Sequence, residues 1–413
     1  MVVGGGPAGM MAAIAAAEQG NTHVTLLEQN EKLGKKLYLT GKGRCNLTNE
    51  ADISEFFSNV IRNPKFLYSA FYGFTNEDVM RFFTEQGVYL KTERGRRVFP
   101  ESDKSSDIIR ALEKALWDRK VSVRLHEKVS SVGTLGNKVS CVRTKTQKYR
   151  ADAVIMATGG LSYPTTGADG SGFGMVRALG HSTTEFSPAL NGLLIKEPFV
   201  GQLSGLSVKN AQVSLVIDPK KSWTGFGEFL FTEHGVCGPL IFTASSVLSR
   251  ELLHQEESVL LVDFKPALDL KTLNERLLRE CEENPNAGMR RIAEHLLPKA
   301  LALPLLSQAM VPEDRKCHSL TKEERQRLSL ALKNFTLTVT GTEDLKNAVI
   351  TCGGVMVKEI DPSTMESKKT AGLYFAGEML DCDALTGGFN LQIAWSTGYL
   401  AGKSAANKND TNK

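Results

Sequence analysis

The stretch MVVGGGPAGMMAAIAAAEQGNTHVTLLEQN, residues 1–30, sets a strand, a glycine turn, a helix, a second strand and an acid in one short run. The apolar run Met1–Val3 meets Gly4-x-Gly6-x-x-Gly9, and an Ala-rich helical segment follows. The β-branched run HVTLLE then ends in Glu28, nineteen residues past Gly9. This is the layout of a dinucleotide-binding unit, and each part has a mechanical reason. Gly4 permits the tight turn, Gly6 lets the backbone approach a pyrophosphate, and Gly9 lets the helix sit close to the strand. The helix N-terminus offers unpaired N–H groups and a positive dipole end to phosphate. Glu28 is placed to accept hydrogen bonds from ribose hydroxyls. The opening strand is shorter than the about 5–6 residues of an ordinary strand. The expectation is a shortened or misassigned start, with weaker cofactor retention than in a chain extended by a few apolar residues.

The remaining composition narrows the class. A chain of 413 residues with 41% apolar content has room for one large or two to three ordinary domains. A net charge of +4, from 50 basic and 46 acidic residues, is too mild to imply nucleic acid. No apolar run reaches the length of a membrane span, and no signal-peptide pattern opens the chain. Seven cysteines, at 45, 141, 237, 281, 317, 352 and 382, form no CxxC pair, so neither a zinc site nor a dithiol couple is expected. No metal is expected, and a reducing cytoplasm fits this cysteine usage.

Along the chain, ADAVIMATGG (151–160) ends a buried strand in Thr158-Gly159-Gly160. Residues 190–266 alternate as strands, 269–334 are helical and charged, and FTLTVTGT (335–342) returns to strand. The second strong signal is TAGLYFAGEMLDCDALTGGFNLQIAWSTGYLAG, residues 370–402. Its strand ends at Gly377-Glu378, and a Gly387-Gly388 turn opens a helix that is apolar on one face. A second helix N-terminus can stabilise negative charge on an isoalloxazine ring or bind its carbonyls, and Glu378 would meet the ribityl or phosphate linker. The expected fold is α/β, a Rossmann-like FAD-binding domain with an inserted β-rich domain that carries a helical subdomain. Its boundaries are 1–189 and 346–402 for the nucleotide domain, 190–267 and 335–345 for the β-rich insertion, 268–334 for the helical subdomain and 403–413 for a tail.

Five strings, GKKLYLTGKGRCNLTN (34–49), GGLSYP (159–164), FTEHGVCGP (231–239), TCGGV (351–355) and GGFNLQIAWSTG (387–398), carry a resemblance. From residue 2 to about 402 the chain resembles a bacterial FAD-dependent flavoprotein family of the glutathione-reductase-like class. That family includes aminoacetone oxidases and the bile-acid-inducible flavoprotein. The resemblance implies FAD, with flavin contacts at Gly6, Gly9, Glu28, Lys36, Gly43, Arg44, Cys45, Asn46, Thr158, Gly159, Gly377, Glu378, Gly388, Asn390, Leu391 and Gln392. Gly4, Val129 and Gly387 complete the expected cofactor-binding set.

LTGKGRCNLTN, residues 39–49, admits three chemistries. A phosphate loop needs GxxxxGK followed by Ser or Thr, whereas Lys42 is followed by Gly43. A disulfide reductase needs a second cysteine, and none follows Cys45 here. Two alternatives stay open: a lone thiolate aided by Arg44, or a small buried cysteine beside the flavin. Lys35, Lys36, Lys42 and Arg44 form either a solvated basic loop or a set that neutralises the pyrophosphate or an anionic substrate. His234 and Tyr163 are pocket candidates, and no catalytic residue is assigned. No NAD(P)H domain is visible, since GADGSGFG (167–174) lacks the required spacing. The expected activity is that of an FAD-dependent oxidoreductase passing hydride between a small organic substrate and flavin N5. The substrate would lie between the FAD domain and the insertion, with oxygen or NAD(P)H as second partner. The alternatives are a flavoprotein acting on RNA, for which basic patches at 35–44 and 91–97 speak, and a non-enzymatic flavin-bound interaction protein.

Overall fold

The computed structural model describes residues 1–20, 22–218, 220–254 and 257–407. The chain divides into two compact units, Met1–Ala189 with Leu345–Lys413, and Leu190–Asp344.

The elements that position the site belong to the first unit. They are β1 (Val2–Val3), α1 (Pro7–Ala17), β2 (Thr25–Leu27), β3 (Leu90–Glu93), β4 (Arg97–Pro100), α2 (Ser105–Asp118), β5 (Ser122–Arg124), β6 (Val154–Met156), β7 (Leu373–Phe375) and α3 (Phe389–Asn407). Five strands form a parallel sheet in the order β7-β6-β1-β2-β5. Strands β1, β6 and β7 are short, fully buried apolar runs, as parallel strands covered on both faces must be, whereas β5 at one edge reads Ser-Val-Arg. β1 has only two residues, yet it is held on both sides: Val2 lies opposite Leu26 and Ile155, and Val3 opposite Leu27 and Met156.

Every residue of α1 from Ala8 to Ala16 is buried, which is what an all-round apolar helix requires. Pro7 opens it with its fixed φ, and its missing N–H costs nothing at that position. The small side chains have a second use. A Cβ on Gly398 would lie 2.4 Å from the Ala8 carbonyl oxygen, and one on Gly402 would lie 2.2 Å from that of Ala12. The four-residue spacing puts each pair on one helix face, so α1 and α3 run in the same direction with their backbones in close approach. α3 continues to Asn407, through residues 403–407 that composition had grouped with a tail. The rest of that tail, 408–413, lies outside the described residues.

The second unit has its own apolar core. Six antiparallel strands close a barrel in the order Leu193–Ile195, Gly235–Cys237, Lys221–Phe231, Ser207–Asp218, Ser258–Asp263 and Phe335–Thr342. Closure removes the exposed strand edges that an open sheet would leave. Helices Leu270–Glu283, Met289–Leu296, Ala302–Ala309 and Lys322–Lys333 fill the interval before the last barrel strand. Among the described residues no helix is long and apolar enough to cross a membrane.

Candidate functional site

All the sheet motifs end at the same carboxyl edge. Gly4 follows β1, Glu28 follows β2, Thr158 and Gly159 stand past β6, and Gly377 and Glu378 stand past β7. In open α/β sheets this edge, at the crevice where strand order reverses, is where ligands bind.

The glycines of the first turn differ in kind. A Cβ on Gly4 would lie 2.4 Å from the Ala157 carbonyl oxygen, and one on Gly9 would lie 1.9 Å from that of Gly4. Above Gly6, by contrast, no atom lies within 4 Å of where a Cβ would stand. Two glycines lock strand to helix and the third keeps open a space at the helix N-terminus, so these residues fit a pyrophosphate. Glu28 closes this end. It is 7% exposed, and its carboxylate accepts from the Gly5 N–H at 2.6 Å, the Asn30 N–H at 2.8 Å and Asn30 Nδ2 at 2.6 Å. Asn30 had no sequence signal as a site residue, yet it braces the acid. The backbone of 126–127 runs beside it, with the Glu127 N–H donating to the Glu28 carbonyl at 2.9 Å, and Val129 follows as the buried first residue of a strand.

The far end of the site is set by the parallel helices. Phe389 precedes Gly398 by nine residues, so the first turn of α3 stands about 13 Å ahead of that of α1. Two helix N-termini therefore face the same edge, offset along one axis, and each first turn leaves N–H groups without an intrahelical acceptor. That offset suits a dinucleotide with its pyrophosphate at α1 and its ring at α3. Gly377 allows β7 to pass close to α1: its φ is +69°, and a Cβ there would lie 2.6 Å from Ala8 Cβ. Thr158 Oγ1 donates to Met379 Sδ at 3.2 Å, and Gly159, at φ +77°, opens the loop beyond β6.

The segment Arg44–Asn49 is fastened to the head of α3. With its amide in the orientation that satisfies both ends, Asn46 donates to the carbonyls of Thr48 (3.0 Å) and Val98 (3.2 Å) and accepts from the Gly388 N–H at 3.0 Å. Thr48 Oγ1 donates to Gln392 Oε1 at 2.6 Å, and Trp395 Nε1 donates to the Leu47 carbonyl at 2.9 Å. Gln392 is fully buried and donates to the Phe74 carbonyl and Ser396 Oγ. Asn390 clamps the preceding turn, accepting from the Ala384 N–H and donating to the Ala384 carbonyl. These polar side chains build the wall, while Leu391 is half-buried in the first turn of α3.

The expected cationic contacts are largely engaged within the chain. Lys36 Nζ donates to Glu378 Oε2 and to Ser162 Oγ, each at 2.7 Å, and Glu378 also accepts from the Thr351 N–H at 2.9 Å. Lys36 therefore neutralises Glu378 beside the strand ends, in a cluster with Ser162 and Thr351. Arg44 pairs with Glu93 and Asp103 and stacks on Phe99, its carbon Cζ 4.3 Å from the ring centroid. Lys35 reaches Glu31 at 3.3 Å. Lys42 is exposed and has no ion pair among the described residues, and Gly43 beside it is open enough that a Cβ would meet nothing nearer than 3.9 Å. Tyr163 lies on the Lys36 side, its ring centroid 6.0 Å from the ammonium. His234 is exposed in a barrel turn of the second unit.

Cys45 is wholly buried with φ +62°, and burial pushes its thiol up to about 12. Such a thiol is almost entirely protonated at neutral pH, so it packs the wall and does not attack. At pH 8 its reaction with Ellman's reagent is expected to be about a thousand-fold slower than that of the same thiol in urea. Fast stoichiometric labelling mapped to Cys45 in the folded protein would restore the thiolate alternative. Among the described residues no three His, Cys, Asp or Glu side chains group into a set that could hold a metal ion.

Comparison with known proteins agrees with this geometry. The family described as HI0933-like protein Rossmann domain matches residues 1–404. A 3-dehydro-bile acid delta(4,6)-reductase of Clostridium scindens is 33% identical over 408 residues, covering 98% of each chain. A ribosomal RNA dihydrouridine synthase of Haemophilus influenzae is 30% identical over 411 residues, covering 98% of this chain and 97% of that one. Among solved structures, the 3-ketosteroid-Δ4-(5α)-dehydrogenase of Rhodococcus jostii RHA1 superposes with a TM-score of 0.53 at 15% identity, covering 98% of this chain and 96% of that one. At that identity it speaks for the fold alone. With the nucleotide turn, the acid and the second helix head all on one sheet edge, the chain belongs to the HI0933-like Rossmann family and is an FAD-dependent oxidoreductase.

Proposed function

We propose that this enzyme reduces a carbon–carbon double bond conjugated to a carbonyl in a small organic substrate. The observation that carries the proposal is the pair of parallel helix heads at one sheet edge, offset by about 13 Å. The direction of the chemistry comes from the relatives. A 3-dehydro-bile acid delta(4,6)-reductase and a dihydrouridine synthase both, by name, add hydrogen to an unsaturated ring next to a carbonyl. FAD, when bound, supplies hydride transfer at N5. The chain's own residues bind and orient. The α1 head and Gly6 take the pyrophosphate, and Glu28 takes the ribose. The first turn of α3 offers N–H groups and a positive dipole end to negative charge at the ring. Lys36 cancels the charge of Glu378, which would otherwise repel the phosphates. NAD(P)H is the proposed source of electrons, with oxygen as the competing acceptor, and the cytoplasm is the proposed compartment.

A second substrate, uridine within RNA, presents the same conjugated unit and is favoured by the names of the Haemophilus influenzae and Escherichia coli relatives. The test is anaerobic. Holoenzyme reduced with NADPH or dithionite is mixed with a 3-oxo-4,6-diene steroid, and the return of flavin absorbance is followed. Reoxidation by the steroid is expected within the mixing experiment, with a product that has lost one double bond, the two-electron equivalent of the flavin, recovered. A reduced flavin that ignores conjugated ketones and uridine but reoxidises at once in air would make the enzyme an oxidase instead.

A further inference from the structure

The tip of the β3–β4 hairpin, residues 93–97, is a strongly basic feature that FAD binding leaves unexplained. It reads Glu-Arg-Gly-Arg-Arg and is exposed at residues 94–97. It is also tied to the head of α3. Asn49 Nδ2 donates at 3.0 Å to the Gly95 carbonyl and at 3.0 Å to the Gly387 carbonyl, so one side chain spans both turns. The two-residue strand Thr48–Asn49 pairs with β4 on one side, Asn49 opposite Arg97. On its other side Gly388 comes so close that a Cβ would lie 2.3 Å from the Thr48 carbonyl oxygen. The hairpin tip thus stands one short strand away from the turn that opens α3.

The cations there are not equally engaged. Arg44 is held by Glu93 and Asp103, Lys91 by Asp103 at 2.6 Å, and Arg96 by Glu55 at 2.8 Å. Arg97 has a 3.7 Å approach to Glu93, lies over the Phe99 ring with Cζ 5.7 Å from its centroid, and is 45% exposed. Arg94 has no ion pair among the described residues, and its carbonyl accepts from Arg97 Nε at 3.0 Å, which sets the two residues side by side. The turn itself is fixed: Gly95 and Arg96 both take left-handed backbone, φ +78° and +57°, and the Arg96 carbonyl accepts from the Glu50 N–H at 2.8 Å.

We propose that Arg94 and Arg97 form the anion-binding arm of the substrate site, holding a carboxylate that the substrate carries away from its reacting double bond. This rests on the flavin ring lying at the first turn of α3, as under the proposed function. Guanidinium forks recognise carboxylate by paired charge-assisted hydrogen bonds. Two neighbouring arginines suit one anionic group, whereas an RNA would need a track of phosphate contacts. The favoured ligand is therefore a small amphipathic acid, and the arm acts on binding and orientation, not on the chemical step.

The probes are cholate, a steroid carboxylate with no conjugated double bond, and its methyl ester. Binding to holoenzyme is measured by calorimetry at fixed ionic strength. Cholate is expected to bind about ten-fold tighter than the ester. That ratio should collapse in the Arg94→Ala/Arg97→Ala double variant and fall further in Arg94→Glu, with flavin content and melting unchanged. Equal affinity for acid and ester, no cholate binding, or a ratio untouched by the substitutions overturns the arm. If the substitutions instead abolish salt-sensitive binding of a uridine-containing RNA and leave cholate unaffected, the small-acid assignment falls. Reoxidation of wild-type flavin by a neutral conjugated ketone tests the reaction separately, so failure of the arm and failure of the proposed reaction are read in different experiments.

Discussion

Gly9→Ala is expected to give a chain that loses FAD and melts well below the wild type, although it adds a single methyl group. The reason is where that methyl would go. It would stand 1.9 Å from the Gly4 carbonyl oxygen, a backbone atom of the tight turn between β1 and α1. A clash with a flexible side chain can relax by a rotamer change, but this one requires the helix or the turn to move. Neither has slack. α1 is held from the other side by α3, where Gly398 and Gly402 already sit against the carbonyls of Ala8 and Ala12. The turn is held by the Gly4 N–H donating to the Leu27 carbonyl at 2.9 Å and the Gly5 N–H donating to Glu28. Overpacking a tight site costs about 1–3 kcal/mol, and a backbone clash belongs at or above the top of that range. A loss of about 3 kcal/mol corresponds to a fall of roughly 6–12 °C in melting temperature for a unit of this size. Gly6→Ala is the control. Open space surrounds its Cβ position, so the fold should tolerate it while FAD affinity drops, because the methyl occupies the approach of the pyrophosphate. Thermal melts of apoprotein together with flavin content after desalting separate the two. A Gly9→Ala protein with wild-type melting and full flavin would remove the close-packing role given to Gly9.

The same contrast explains what was legible in the sequence. The β1 turn, α1 and Glu28 are local: one strand, one turn and one helix fix them within thirty residues, and glycine spacing reports the turn directly. The head of α3 was legible for the same reason, from Gly387-Gly388 before an apolar helix. Side-chain partners were not. Lys36 meets Glu378 across 342 residues of sequence, Thr48 meets Gln392 across 344, and Asn49 meets Gly387 across 338. No periodicity or spacing encodes such pairs. Arg44 shows the consequence. The resemblance implied a flavin contact there and the basic stretch an anion-neutralising or solvated loop, and the acids that pair with it, Glu93 and Asp103, arrive from the β3–β4 hairpin and the loop after it. A charge run with no acid inside it does not say which acids fold onto it. Cys45 had two open alternatives because exposure is a tertiary property, and full burial decides between them.

Glu28→Ala carries the second large effect, and it acts on two properties at once. The carboxylate is the acceptor for the Gly5 N–H and for both nitrogens of Asn30, all within 2.8 Å. Alanine leaves the buried Gly5 N–H and the half-buried Asn30 N–H without this acceptor, at about 1–3 kcal/mol for the group. Asn30 Nδ2 keeps the Thr166 carbonyl. The substitution also removes the proposed ribose acceptor. The apoprotein is expected to lose about 2 kcal/mol of stability. FAD should bind about a hundred-fold more weakly, the equivalent of losing charge-assisted hydrogen bonds to the ribose. Glu28→Gln should fall between the two. Its single amide oxygen can serve one set of donors, but its NH2 then faces the other, so part of the brace and part of the ribose contact survive. Measuring FAD affinity by flavin fluorescence, alongside apoprotein melting for both variants, separates bracing from binding. If stability falls while FAD affinity is unchanged in Glu28→Ala, Glu28 only braces the glycine turn and the ribose is held elsewhere. If affinity falls in Ala and is partly recovered in Gln, the acid at the end of β2 is performing both tasks with the same two oxygens.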